Sequence, residues 1–142
     1  VEACLASNDV NRSKVYQRCK YVVEEIQRVQ LAVQDLAKGD MQAFGKKMFE
    51  THKGLSKLYE VSCPELDFLV EAVSNNENVL GARMMGGGFG GCTINIIKKS
   101  AVEEITKALT ANYAKKMHKE LAVYITSIED GTHIVEGTHL VA

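Results

Sequence analysis

Gly81-Ala82-Arg83-Met84-Met85-Gly86-Gly87-Gly88-Phe89-Gly90-Gly91-Cys92-Thr93 is the stretch around which this sequence is organised. It holds six of the chain's eleven glycines and joins two short apolar runs. A hairpin needs only one or two glycines, and ordering more of them costs more backbone entropy than ordering other residues. The surplus therefore predicts a shaped loop that a ligand or another backbone approaches closely.

Consecutive backbone amides in such a glycine loop, residues 86–91, can form a nest for phosphate oxygens. The loop lacks the G-x-x-x-x-G-K-[ST] pattern because no lysine follows the glycines within reach. Gly86, Gly88 and Gly91 satisfy the loose pattern G-x-G-x-x-G. In dinucleotide-binding folds that pattern opens a helix, whereas here it leads into a strand, so a Rossmann site is not predicted.

The segments after the loop alternate between strand and helix patterns. Ser100 and Glu103 have the spacing of a capping box, and an apolar stripe from Val102 to Met117 predicts the helix that they would cap. Beyond it, β-branched residues and an Asp-Gly turn predict a hairpin. The expected strands are Val79–Met85, Cys92–Ile97, 123–128 and 132–135, with the turn at Asp130-Gly131.

Before the loop, apolar residues recur at steps of three and four, which predicts amphipathic helices. The first runs from about residue 8 to Lys38, with Ser7-Asn8-Asp9 as candidate caps, and its stripe is expected to pack on the sheet. Gly39-Asp40 is the expected turn into the second helix. The two stripes are Val15, Cys19, Val22, Ile26, Val29, Val33 and Leu36, and then Phe44, Met48, Leu55 and Leu58.

A third helix is expected to begin at Pro64, which tolerates the first helical position because it lacks an amide proton. Its cap is either Ser62, in capping-box spacing with Glu65, or Cys63. Helices followed by strand, strand, helix, strand and strand predict an α+β fold. We expect a single domain over residues 1–142, helical over about 8–75 and strand-containing over about 79–135. Its mainly antiparallel sheet would have about four strands packed against the amphipathic helices.

Composition excludes several classes of function. The formal net charge is -1, so nothing in the overall charge favours nucleic acid or an anionic membrane as a partner. No run approaches the roughly 18 apolar residues of a membrane span, and no signal peptide is recognisable, so a cytoplasmic protein is expected. Cys4, Cys19, Cys63 and Cys92 form no C-x-x-C pair. We expect free thiols and no metal site.

Few side chains are candidates for catalysis. His52 and His118 fit half-buried packing positions better than active-site positions. Asp67 and Glu71 share a helix face at spacing i, i+4, and a solvated pair is the ordinary interpretation. Arg83 lies beside the glycine loop and is expected either to pair with phosphate or a further domain, or to be a surface cation.

The loop stretch resembles the third, C-terminal signature of the galactokinases, which are GHMP small-molecule kinases. Phe44-Gly45-Lys46-Lys47-Met48, Thr51-His52 and the stretch from Tyr59-Glu60-Val61-Ser62-Cys63-Pro64 to Val70 resemble the galactokinase segments that precede that signature. The order and intervals also agree, over about residues 15 to 135. The resemblance implies a ferredoxin-like GHMP C-terminal domain, with the N-terminal catalytic domain absent from this chain.

Galactokinases transfer the γ-phosphoryl group of ATP to the anomeric hydroxyl of galactose with Mg²⁺, giving galactose 1-phosphate and ADP. The resemblance implies no catalytic residue in this chain, because the phosphate loop, the metal ligand and the catalytic aspartate belong to the N-terminal domain. It also implies that the chain alone binds no cofactor. It assigns to this chain the loop that packs against the phosphate loop and closes the cleft: Gly86, Gly87, Gly88, Phe89, Gly90 and Gly91.

Two alternatives remain open at the level of sequence. A galactokinase-like protein can serve as a sugar and ATP sensor that binds a regulator, for which the first helix offers an apolar stripe. A GHMP kinase can also act on another sugar or small alcohol. Met85 stands where the family usually has threonine before the triple glycine, which removes a hydroxyl from that position.

Overall fold

The structure, a computed structural model, describes residues 10–127, with side chains from residue 13 onward. It is α+β, as the sequence predicts, and its strands follow three helices. In chain order the elements are α1 (Val10–Lys38), α2 (Met41–Lys57), α3 (Pro64–Ser74), β1 (Val79–Met85), β2 (Cys92–Ile97), a 3-10 turn (Lys99–Ala101) and α4 (Val102–Met117).

Helices α1 and α2 are joined by the predicted turn. Gly39 takes a φ of 70°, and the side chain of Asp40 accepts a hydrogen bond of 2.9 Å from the backbone N–H of Ala43. These two residues therefore end α1 and cap α2, as expected. The candidate caps of α1, Ser7-Asn8-Asp9, lie outside the described residues.

The face of α1 that packs against the rest of the molecule is not the predicted one. Helix α1 packs on α2, and the contacts are mainly polar. Thr51 Oγ1 donates a hydrogen bond of 2.7 Å to Glu25, and Lys47 Nζ lies 2.5 Å from Asp35. Tyr21 is buried in the same interface. The prediction that the apolar stripe packs on the sheet is wrong, because these polar pairs turn the stripe outward. The exposed stripe residues are Val15, Cys19, Val22, Ile26, Val29, Val33 and Leu36.

Helix α2 lies directly on β1. A Cβ atom on Gly45 would overlap the carbonyl oxygen of Leu80 and lie 3.0 Å from the backbone nitrogen of Gly81. A Cβ atom on Gly81 would in turn lie 2.5 Å from Gly45 Cα. Only two glycines allow the helix and strand backbones to approach this closely. In the predicted α2 stripe, Met48 is buried, whereas Leu58 lies exposed at the end of the helix.

The hydrophobic core lies between β1, α3 and α4. Its buried members Val70, Val73, Val79, Ala82, Ala101 and Ile105 are joined by the partly buried Phe49, Ile97 and Leu109. Helix α3 begins at Pro64 with Cys63 as its N-cap, which decides between the two candidate caps. The Ser100 capping box does not form, because residues 99–101 make a 3-10 turn and Ala101 becomes the N-cap of α4.

The described residues contain one antiparallel sheet of two strands, not four. Arg83 pairs with Ile94 and Met85 with Cys92, so the glycine loop closes a hairpin. Residues 123–127 form no strand. They line an open cavity together with β2, and no strand within the described residues pairs with them. Residue 128, the Asp130-Gly131 turn and residues 132–135 lie outside the described residues.

Candidate functional site

The glycine loop follows a path that depends on left-handed backbone conformations. Gly86, Gly88, Gly90 and Gly91 take φ values of 95°, 90°, 145° and 101°, and Phe89 takes 59°. Residues other than glycine rarely adopt such φ angles, so the backbone path requires four of the five loop glycines. Gly87 is the exception, because its φ lies outside the left-handed region.

The second half of the loop is fixed to the segment between α2 and α3. The backbone N–H of Phe89 donates a hydrogen bond of 2.7 Å to the carbonyl oxygen of Val61. A Cβ atom on Gly88 would overlap that oxygen and lie 2.8 Å from Val61 Cβ. The excess of glycines in the loop therefore includes one, Gly88, that is needed where two backbone segments of this chain approach closely.

The first half of the loop is open. A Cβ atom on Gly86 or Gly87 would meet nothing within 4 Å. Phe89 is 77% exposed although its backbone is fixed. The loop thus exposes the backbone of Gly86 and Gly87 and the side chain of Phe89, while its hydrogen bond to the Val61 carbonyl holds it on the opposite side.

The strand that leads into the loop is held by His52, which is buried in α2. The backbone N–H of Met84 donates a hydrogen bond of 3.2 Å to His52 Nδ1. On the other side of the ring, His52 Nε2 lies 3.3 Å from Asp67 Oδ1, and Ser56 Oγ donates a hydrogen bond of 2.7 Å to Asp67 Oδ2. His52 is thus a buried polar link between α2, α3 and β1, and Asp67 is not the solvated residue that its spacing with Glu71 indicated.

The surroundings of this link favour a neutral imidazole beside a charged carboxylate. Burial lowers the pKa of His52, and the charge of Asp67 only partly opposes that shift. Burial by itself raises the pKa of Asp67, but the hydroxyls of Ser62 and Ser56 and the charge of Lys57 bring it below its usual value. His118, the other candidate histidine, is exposed at the end of α4 in a left-handed conformation.

Arg83 lies on β1, three residues before the glycine loop begins at Gly86. It is partly buried and makes no ion pair with any described residue. Its charge reaches Tyr21, whose pKa is raised to about 12 mainly by burial and by Glu25, with Arg28 and Arg83 acting in the opposite direction. No acidic side chain among the described residues therefore neutralises Arg83.

A cavity of about 780 Å³ lies beside the loop. Phe89, Gly90 and Gly91 form one end of it, β2 and residues 119–126 form its walls, and apolar side chains of α3 and α4 form its floor. Its size is in the range of ligand pockets. No group of three or more His, Cys, Asp or Glu residues within the described range could hold a metal ion.

Cys19, Cys63 and Cys92 are free thiols in the structure. Among the described residues, no helix is long and apolar enough to cross a membrane.

Residues 32–115 match the family described as GHMP kinases C terminal, and this range runs from the end of α1 nearly to the end of α4. The chain belongs to the GHMP kinase C-terminal family. The matched range contains the glycine loop, the His52 link and the core.

The relatives of this GHMP kinase domain include galactokinases. The galactokinase of Bos taurus is 39% identical over 135 residues, which is 95% of this chain and 33% of that protein. The galactokinase of Thermotoga maritima is 43% identical over 115 residues, 81% of this chain and 33% of that protein. The crystal structure of Lactococcus lactis galactokinase complexed with galactose superposes with a TM-score of 0.73 at 30% identity, covering 79% of this chain and 30% of that one.

The chain thus spans about a third of the length of the curated relatives it matches. Sequence reasoning identified the glycine loop and Arg83 but missed the two contacts that hold the loop. The Val61 carbonyl carries no sequence signal, because any residue supplies a carbonyl oxygen. The His52–Asp67 contact joins two residues fifteen positions apart on different helices, so no local spacing indicates it.

Proposed function

We propose that this chain is the C-terminal part of a galactokinase, which transfers the γ-phosphoryl group of ATP to galactose. The single observation that carries the proposal is the loop itself, whose backbone is locked at Gly88 and Phe89 while its first half stays open. Phosphoryl transfer depends on positioning and charge stabilisation more than on covalent chemistry. A rigid loop with outward-facing backbone is suited to closing a cleft over phosphates.

The remaining parts of the reaction would come from outside this chain. The described residues offer no group of acidic or histidine side chains that could hold Mg²⁺, which would supply charge neutralisation in the transfer of the phosphoryl group. We therefore propose that the isolated chain has no kinase activity and binds ATP weakly. Arg83, partly buried and without a partner here, is available to pair with phosphate or with the rest of the kinase.

The outward stripe of α1 supports a second element of the proposal, contact with the rest of the kinase. Ile26 and Val29 are 57% and 54% exposed and line a shallow apolar depression with Tyr21 and Val22. Contiguous exposed apolar surface of this kind marks interaction sites in soluble proteins. A sensor that binds a regulator would use the same stripe, and enzymatic assay distinguishes the two functions.

A chimera tests the proposed reaction directly. This chain replaces the matching 135 residues of Bos taurus galactokinase, and ADP release is followed with galactose, ATP and Mg²⁺. Galactose-dependent turnover is expected, whereas the isolated chain should give none. A folded chimera that binds galactose and ATP without turnover would favour the sensor. Turnover with another sugar or small alcohol, but not with galactose, would change the substrate.

Gly87 and Gly88 provide a matched pair that tests the role of the loop. In the isolated chain, Gly88→Ala should lower the free energy of unfolding by about 2 kcal/mol, because its Cβ overlaps Val61 and its φ is left-handed. Gly87→Val should change it by no more than about 0.5 kcal/mol.

In the chimera, Gly87→Val should nevertheless lower turnover by about a hundredfold, since the added side chain would meet none of the described residues and would project toward the rest of the kinase. Near-normal turnover of that variant would show that the open half of the loop approaches nothing, and the proposed closing role would then be wrong.

A further inference from the structure

The His52 link has a feature that simple packing does not require. The imidazole is 7% exposed, yet each of its nitrogens faces a polar group from a different element. Because Nδ1 accepts the Met84 N–H, a neutral ring carries its own proton on Nε2, the nitrogen that faces Asp67. The ring therefore has one defined tautomer and one defined orientation.

The first consequence concerns the entry to the glycine loop. Met84 is two residues before Gly86, and its N–H points away from β2 toward α2. An edge-strand N–H in a buried position requires an acceptor, and His52 supplies it. The position of β1 at the start of the loop is thus set by the imidazole.

The second consequence concerns the far side of the loop. Ser56 is near the end of α2 and Asp67 is in the first turn of α3, so their hydrogen bond of 2.7 Å brackets the connecting segment 58–63. That segment carries the Val61 carbonyl, which accepts the Phe89 N–H. Asp67 therefore acts at two places. It faces the His52 ring, which accepts the Met84 N–H, and it fixes the segment 58–63, whose Val61 carbonyl accepts the Phe89 N–H.

We propose that His52 and Asp67 are positioning residues of the glycine loop, acting together through Met84 at its entry and through Val61 beneath Phe89. Neither residue contacts the loop directly. Any effect of these residues on catalysis rests on the proposed function, whereas the positioning of the loop is a property of this chain alone.

The charge state of His52 is part of the arrangement. The charged groups that face it are Asp67 from α3 and Lys57 from α2, and β1 contributes only the Met84 amide. Protonation would place a hydrogen on Nδ1, opposite the hydrogen of the Met84 N–H. The hydrogen bond would then be lost, so acid should release the loop entry.

Hydrogen exchange on this chain tests the positioning without reference to activity. The variants are His52→Leu, which removes the acceptor, and Asp67→Asn, which keeps the side-chain shape and removes the charge. His118→Asn is the matched control, because it removes an exposed histidine at the end of α4 that makes neither the Met84 nor the Asp67 contact. Nitrogen-15 NMR of the wild-type ring should show the proton on Nε2 at pH 7.

Exchange of the Met84 and Phe89 amides should become about tenfold faster in both variants, as expected for the loss of one hydrogen bond, while amides of α4 remain as in the wild type. In His118→Asn the exchange of the Met84 and Phe89 amides should be unchanged.

A uniform increase in exchange over the whole chain would mean that His52 and Asp67 contribute only to global stability, and it would overturn the proposal. So would unchanged exchange at Phe89 in Asp67→Asn. If His52→Leu does not fold, His52→Gln, whose amide oxygen can accept the Met84 N–H, should restore wild-type exchange at Met84 without titrating.

In the galactokinase chimera, Asp67→Asn should lower kcat by about tenfold to a hundredfold with little change in KM for galactose, because a displaced loop affects the transition state more than sugar binding. An inactive parent chimera would count against the proposed function alone. Faster exchange of the Met84 and Phe89 amides with an unchanged kcat would show that positioning of the loop does not contribute to catalysis.

Discussion

Helices α1 and α2 are both amphipathic and run side by side, yet they use opposite kinds of surface to pack. Helix α2 buries Met48, Thr51 and His52 and brings Gly45 onto the backbone of β1. Helix α1 directs the acidic residues Glu25 and Asp35 toward α2, where they contact Thr51 and Lys47, and leaves its apolar stripe exposed. The difference shows that periodicity locates a helix but does not say which of its faces is covered within one chain.

The same contrast divides the glycine loop. Its second half belongs to the packed side of the molecule, through Val61, and its first half belongs to the open side with the α1 stripe. If both open surfaces face the rest of a kinase, as we propose, substitutions on the packed side should act on folding and those on the open side on activity.

The largest effect on folding is expected at Gly45. In an ordinary exposed helix, Gly→Ala stabilises by up to about 1 kcal/mol through helix propensity. Here the added Cβ would overlap the Leu80 carbonyl, so Gly45→Ala should destabilise by about 2 to 3 kcal/mol. Urea unfolding of the isolated chain measures both sign and size. A stabilising result would mean that α2 does not lie on β1 as described.

A smaller effect is expected from pH, again on the packed side. The pKa of His52 is lower in the folded chain than its ordinary value of 6.5, so the unfolded chain takes up a proton first as pH falls. The free energy of unfolding should therefore decrease as pH falls below about 6.5, until the folded-state pKa is passed. Lowered pKa values of Glu60, Glu65 and Asp67 add a further loss only in more acidic solution.

Urea unfolding between pH 8 and pH 5 measures that loss. His52→Gln should flatten the dependence, and Lys53→Gln, an exposed neighbour on α2, should retain it. Equal slopes for His52→Gln and the wild type would show that His52 does not titrate abnormally.

The smallest effect is expected on the open side. Ile26→Ser in α1 should change the free energy of unfolding by no more than about 0.5 kcal/mol, since the side chain is 57% exposed and the two residues have similar helix propensities. Met48→Ser in α2 should destabilise the chain clearly, because Met48 is buried. A large loss for Ile26→Ser would mean that the stripe is already covered within this chain.

Much of the secondary structure followed from local patterns. The Gly39-Asp40 turn, the start of α3 near Pro64, and the strands on either side of the glycine loop were predicted from caps, apolar spacing and turn residues. The strand expected from residue 123 did not form over 123–127, because β propensity reflects packing against a neighbouring strand and no strand among residues 10–127 pairs with this segment. The capping box at Ser100 failed for a related reason: a 3-10 turn occupies its position.

What the sequence by itself determined was the α+β order of elements and the presence of a glycine loop too rich for an ordinary hairpin. These follow from local backbone preferences and from the period of apolar residues, which act within a few positions of one another. Which face of α1 is covered, why Gly88 has no room for a side chain, and how His52 and Asp67 reach the loop were decided only by tertiary structure. The contacts of His52, Asp67 and Gly88 join residues 15 to 32 positions apart, and their strength depends on burial and on the geometry of the elements brought together.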